Sequence, residues 1–244
     1  MSGHSKWSTI KRKKGAADQK RSKIFSRIIK EISVSVKEGG ADPDGNPRLR
    51  LALNNARGAN MPKENIQRAL SKAKDTEALH ETTYEGYTPN GIAVFIECLT
   101  DNPQRTLSNI RAIFNKRGGS LSTNGSVAFM FERRGIIRVP KGSFDADELQ
   151  LEIIDAGMED FEEHDDVFVI TTLLDGFAPV QKRLDELGIE VENAELQCIP
   201  VETKTLDAEN GIKILKMIEL IEDDDDVQNV FHNMEITDEI IEKY

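Results

Sequence analysis

The chain has 244 residues, 38% of them hydrophobic, with 32 Lys and Arg against 43 Asp and Glu. That composition describes a soluble globular protein with room for two or three domains. Its longest apolar stretches, 91–99 and 167–174, are strand-sized and too short to cross a membrane, and the basic N-terminus lacks the apolar segment of a secretory signal, so the expected location is the cytosol. The net charge of −11 hides a split, since residues 1–75 carry 18 Lys and Arg against 7 Asp and Glu, while residues 76–244 carry 14 against 36. A head of +11 on a body of −22 implies one surface suited to a polyanion and another that repels it.

From Ala17 to Glu38 the residues Ile24, Phe25, Ile28, Ile29, Ile32 and Val36 recur at helical spacing, and Gly39 and Gly40 supply a stop. Residues 42–46 have turn composition, Pro47 suits a first helical position, and Leu49, Ala52, Leu53 and Ala56 mark a second helix that ends at Gly58. Pro62 opens a third, with Glu64 in its first turn and Ile66, Ala69, Leu70 and Ala73 on its inner side. Residues 17–75 therefore read as a helical bundle.

Beyond Thr76 strands and helices alternate. A strand at 91–100, a helix from Gln104 to Lys116 and a strand from Ser126 to Phe131 make a beginning whose ending lies at 208–221 (helix) and 227–236 (edge strand). Between them, strand 135–139, helix 145–156, strands 159–162 and 167–172, helix 178–187 and strand 191–201 repeat the β-α-β-β-α-β order. The expected fold class is α+β: an N-terminal helical bundle followed by two ferredoxin-like α+β domains, one inserted in the other. The expected boundaries are 1–76 for the basic tail and helical domain, 77–134 plus 204–244 for one α+β domain, and 135–203 for the inserted one.

Catalytic signatures are missing. Neither a phosphate-binding glycine loop, a nucleophile elbow nor a zinc-protease helix occurs, and His4, His80, His164 and His232 share no ligand spacing. Cys98 and Cys198 are a hundred residues apart, so they form neither a zinc pair nor a disulfide framework and read as reduced core thiols. The run from Glu162 to Asp166 around His164 and the run Asp223 to Asp226 have the composition of solvated turns. The expectation is no enzyme, no metal and no cofactor.

The head carries the chemistry. Lys6, Lys11, Arg12, Lys13, Lys14, Lys20, Arg21, Lys23, Arg27 and Lys30 stand against one acid, Asp18, and surround the only tryptophan, Trp7. Along the first helix Lys20, Lys23, Arg27, Lys30 and Lys37 fall within an arc of about 100°, opposite the apolar residues, which suits a backbone-gripping face. Trp7 beside Lys6, with Lys11 to Lys14 following, suits a stacking platform with an electrostatic clamp, the alternative being an anchor on the protein's own core. A second cluster, Arg48, Arg50, Arg57, Lys63 and Arg68, surrounds the turn 58–63, where a helix N-terminus beside Lys63 offers free amides to an anion or simply makes a packing corner. Residues 62–74 hold few side chains fit for reading base edges, so sequence-specific recognition gains little support.

These residues resemble the YebC family, also called YebC/PmpR, which includes mitochondrial translational activators of cytochrome oxidase synthesis. The resemblance runs through Gly3-His4-Ser5-Lys6-Trp7 with Ile10-Lys11, Asp18 and Arg21, then Asn46-Pro47-Arg48-Leu49-Arg50, Asn60-Met61-Pro62-Lys63 with Asn65-Ile66, and Leu99-Thr100-Asp101-Asn102 with Arg105-Thr106. It continues through Gly118-Gly119, Gly125-Ser126-Val127 and Phe131, covering essentially the whole chain. It implies a three-domain, non-enzymatic regulator of gene expression, either a DNA-binding transcriptional regulator or a ribosome-associated factor that contacts ribosomal RNA and helps translation past difficult stretches. Its partner is then nucleic acid, with a protein partner open to the acidic domains and no membrane. His4 and Arg105 join the candidate contacts on this resemblance. One departure follows Asn102, where relatives often carry basic or amide residues and this chain has Pro103-Gln104, leaving Arg105 to meet a phosphate there. A chain opening directly on the Gly-His-Ser-Lys-Trp segment points to a bacterial cytosolic member.

Overall fold

The computed structural model of the chain describes residues 17–75, 78–142 and 144–244, and side chains from residue 21 onward. Helices α1 (Ala17–Gly39), α2 (Pro47–Gly58) and α3 (Lys63–Lys72) close around Ile32, Val36, Leu49, Ala52, Leu53, Ala69 and Ala73. The corner between α1 and α2 is organised by Asn46. Its side-chain oxygen accepts from the Leu49 amide at 3.0 Å, capping α2, while its Nδ2 donates to the carbonyls of Ser35 at 2.7 Å and Gly40 at 2.9 Å. One buried amide thus satisfies the start of one helix and the end of another. Asn46→Ala should cost about 2–3 kcal/mol, the sum of a lost cap and the loss of a donor to the buried Ser35 and the partly buried Gly40 carbonyls, measurable by urea denaturation.

The remaining residues build two antiparallel sheets with helices, so the α+β class is as expected. In the first, β1 (His80–Tyr87), β2 (Ala93–Thr100), β3 (Ser120–Ser122) and β8 (Val227–His232) lie in the order β3-β1-β2-β8. Helices α4 (Pro103–Arg117) and α7 (Ala208–Glu222) cover one face, where Ile110, Phe114, Met217 and Ile221 meet Val94, Ile96 and Cys98. A short helix α8 (Asp238–Lys243) packs on α7 through Ile240, and Gly211 leaves room for it. The pairing of β8 with β2, with Phe231 opposite Phe95, completes the sheet from residues far apart in the chain.

The short strand β3 and the short helix α8 are not among the expected elements, and two larger differences concern β1 and the segment after β3. Residues 80–87, assigned no structure from sequence, form a strand between β2 and β3. The segment 126–131, expected as a strand, is instead a turn and a 3-10 helix at Ala128–Met130, with the next strand beginning only at Phe131. The cause is Glu85 on β1, which is 2% exposed. Its carboxylate accepts from the amides of Gly125 at 2.6 Å, Val127 at 2.6 Å and Ala128 at 3.0 Å. Amides bound to a carboxylate cannot serve a strand ladder, and the chain curls around the acid.

The second sheet takes β4 (Phe131–Pro140), β5 (Met158–Glu163), β6 (Val167–Thr172) and β7 (Asn193–Pro200) in the order β5-β6-β4-β7, with α5 (Ala146–Ile154) and α6 (Leu174–Glu186) between strands. This is the β-α-β-β-α-β order, and its core holds Ile137, Val139, Leu149, Ile153, Phe168, Ile170, Val180 and Leu184.

The described residues fall into two compact units, 78–132 with 198–244 and 17–75 with 133–197. Within the second, α2 seats on β7. Asn55 donates from Nδ2 to the Ala194 carbonyl and accepts from the Ala194 amide at its Oδ1, both at 2.8 Å, so one side chain imitates a neighbouring strand. Leu51 packs against the sheet's core, and a Cβ on Gly58 would collide with the main chain of Glu192 at 1.9 Å.

Candidate nucleic-acid interface

The expected contacts His4, Lys6, Trp7, Lys11, Arg12, Lys13 and Lys14 lie outside the described residues, as does the side chain of Lys20. Arg21 is exposed, and its guanidinium crosses from α1 to the turn before α3, donating to the Asn60 carbonyl at 3.2 Å while lying 5.4 Å from the centre of the Phe25 ring. That turn is well defined. Asn60 takes a left-handed conformation with φ of 55°, its amide donates to Arg57, and the Met61 amide donates to Ala56 with Met61 buried beneath. Helix α3 then starts behind Pro62 without a side-chain cap, and its first bonds run from the amides of Asn65 and Ile66 to the Pro62 carbonyl. The amides of Lys63 and Glu64 therefore precede the intrahelical ladder at the positive end of the helix. The Lys63 ammonium is exposed and has no hydrogen-bond or ion-pair partner among the described residues. Arg21 and Lys63 thus flank a single helix N-terminus, an arrangement suited to phosphate.

The other basic residues have different settings. Lys23, Arg27 and Lys30 are half-buried and each has an interaction partner, while Ile24 and Ile29 are 44% and 39% exposed. The clean division of α1 into a basic outer and an apolar inner face therefore fails in its N-terminal half. Helix α1 has 23 residues and α2 only 12, so the inner stripe of Ile28, Ile32 and Val36 is covered while the turns around Ile24 outrun their partners. Arg50 is exposed and donates to the carbonyls of Pro43 and Asp44, and Arg57 donates to the Asn54 side chain. Arg48 is turned onto acids of α1, with Nε 2.6 Å from Glu31 and Nη1 2.8 Å from Glu38. It braces α1 against α2 instead of facing outward.

Arg105 is likewise committed. Its Nη2 lies 2.6 Å from both Asp101 and the buried Asp226, and the hydroxyls of Thr100 and Thr106 donate to the same Asp226 oxygen. The hydrogen bond from Arg105 holds the Asp101 carboxyl below its usual range, while Asp226 foremost, then Asp101, push the guanidinium further up. An arginine so paired with two carboxylates ties α4 to the approach to β8 and is a poor phosphate ligand. Both pairings leave a trace in the sequence, because Glu31 and Glu38 are seven apart on one helix face and Asp101 stands four before Arg105. The Asn60 carbonyl as a perch for Arg21 left none.

Elsewhere, the His164 ring pairs with Glu162 at 3.2 Å, and no group of three or more His, Cys, Asp or Glu is set to hold a metal among the described residues. Both cysteines are buried, and no helix among the described residues is long and apolar enough to cross a membrane.

These observations define a class: an α+β protein whose basic helical N-terminal domain precedes two acidic sheet-containing portions. Residues 5–76 match the TACO1/YebC protein N-terminal domain and residues 79–234 the TACO1/YebC second and third domain, and the chain belongs to that family. It is 47% identical over 245 residues to a "probable transcriptional regulatory protein" of Chlorobaculum tepidum, covering 99% of this chain and 98% of that one. It is 49% identical over 244 residues to a protein of the same description from Prosthecochloris aestuarii, covering 98% and 97%. The crystal structure of a conserved hypothetical protein from Aquifex aeolicus superposes with a TM-score of 0.83 at 40% identity, covering 93% of this chain and 95% of that one.

Proposed function

We propose that the protein is a non-enzymatic, cytoplasmic regulator of transcription that binds duplex DNA through the phosphates, using its basic N-terminal domain. The observation that carries this reading is the placement of Arg21 on the Asn60 carbonyl, in the turn that leads to the uncapped N-terminus of α3 with the exposed Lys63 as its first residue, following in sequence on the basic segment 6–14. The description shared by the relatives supports the regulatory part. Backbone contacts position a protein on nucleic acid without reading its sequence, so on this reading affinity varies little between DNA sequences. The acidic remainder stays clear of the duplex by repulsion.

The test is fluorescence anisotropy of a labelled 20-base-pair duplex against the full chain and an Arg21→Ala, Lys63→Ala double variant. Loss of two phosphate contacts should weaken binding to unrelated duplexes alike and reduce the slope of log affinity against log salt by about 2. An unchanged slope would show that the α3 N-terminus is not in the interface. Crosslinking in cells followed by sequencing of both DNA and RNA identifies the physiological target, and a peak confined to ribosomal RNA would replace the transcriptional reading with a translational one.

A further inference from the structure

The strongest feature outside the basic domain lies on α5 and the start of α6. Leu151 is 74% exposed and Ile154 53% exposed, although Leu149 and Ile153 on the opposite side of the same helix fill the core. At the end of α5 the main chains of Gly157 and Gly176 touch, so that a Cβ on Gly176 would lie 2.5 Å from the Gly157 carbonyl oxygen. That contact brings the last turn of α5 to the first turn of α6, where Leu174 is also 53% exposed. Isolated exposed aliphatics are ordinary on a protein surface, but several on adjoining helix turns mark a contact surface.

Charge selects the occupant. Asp147, Glu148, Asp155 and Asp175 are exposed around these residues, and residues 135–203 as a whole contain 18 Asp and Glu against 4 Lys and Arg. Such a surface repels nucleic acid and anionic membranes and attracts cations. We infer that the α5 and α6 surface docks a basic amphipathic helix of a partner protein, with Leu151, Ile154 and Leu174 taking its apolar stripe and the surrounding carboxylates its Lys and Arg. An apolar centre with a charged border is the usual division of labour in such contacts, the first giving affinity and the second orientation and encounter rate.

The probe is a fluorescein-labelled 18-residue peptide of Leu and Lys with Leu at helical spacing, titrated with the full chain, beside a counterpart with Glu in place of every Lys. The Lys peptide should bind with micromolar affinity and the Glu peptide should not. Leu151→Ser with Ile154→Ser, both exposed and so neutral for folding as checked by thermal melting, should weaken binding at least tenfold, and Glu148→Gln with Asp155→Gln should weaken it and flatten its salt dependence. Equal binding by the Leu151→Ser, Ile154→Ser variant would reduce the contact to unspecific charge attraction and overturn the inference. So would a failure of the Lys peptide to bind, or light scattering in which the chain is a dimer that this variant converts to monomers, which would make a second copy the occupant.

Discussion

The affinity of the full chain for duplex DNA should fall about a thousandfold between 50 and 200 mM monovalent salt. The basis is the charge of the head, where residues 1–30 carry ten Lys and Arg against a single acid. If roughly six to eight phosphates are neutralised, the slope of log affinity against log salt is about −5 to −7, because each contact releases condensed counterions. The accounting draws on the segment 6–14, Lys20, Arg21 and Lys63, and leaves out Arg48 and Arg105, whose guanidinium groups are held by carboxylates. Anisotropy titrations at four salt concentrations measure the slope directly. A value near zero would mean that the interface is apolar or rests on neutral hydrogen bonds, and the electrostatic account would then be wrong.

The second large effect concerns stability. Glu85→Ala should destabilise the sheet that contains β1 by about 2–4 kcal/mol, because the buried Val127 amide and the partly buried amides of Gly125 and Ala128 lose a shared acceptor and a cavity takes the place of the side chain. Domain stabilities are typically about 5–15 kcal/mol, so this one substitution removes a large share. The defect should begin locally, with hydrogen exchange at Val127 and Ala128 rising before the rest of the sheet opens. Glu85→Gln keeps the volume but turns an NH2 toward amide donors, and should recover only part of the loss. A change below about 1 kcal/mol for the alanine variant would show that water replaces the carboxylate without difficulty.

The same residue explains where sequence reading stopped. The helices of the N-terminal domain were legible because Pro47, Gly58 and the spacing of Leu49, Ala52, Leu53 and Ala56 are local signals, and the observed α2 spans the residues those signals delimit. Strand β6 was legible for a similar reason, as a short apolar run that is buried throughout. Strand β1 was not, since HETTYEGY has polar residues on both faces and a buried acid near its end, and the partners of that acid lie forty residues further on. The strand expected at 126–131 failed for the converse reason, its amides being claimed by a side chain that periodicity cannot see. In the candidate interface, charge sign was readable and availability was not. By sign alone Arg48 and Arg105 look like Lys63 and Arg21, and it is the contacts with carboxylates that mark the first two as braces.

The seat of α2 on β7 sets an order of events during synthesis. Asn55 is made 139 residues before the backbone of Ala194 that it binds. At typical elongation rates of about 5–20 residues per second, the basic domain is therefore outside the ribosome for roughly 7–28 s before its place exists. During that interval α2 shows Leu51 and Asn55 to solvent, and the head's cations are already present while most of the acidic residues that will accompany them are still untranslated. A nascent chain of this protein is, for those seconds, a cationic domain with an unfilled apolar side, held beside a messenger and a ribosome that are both polyanions.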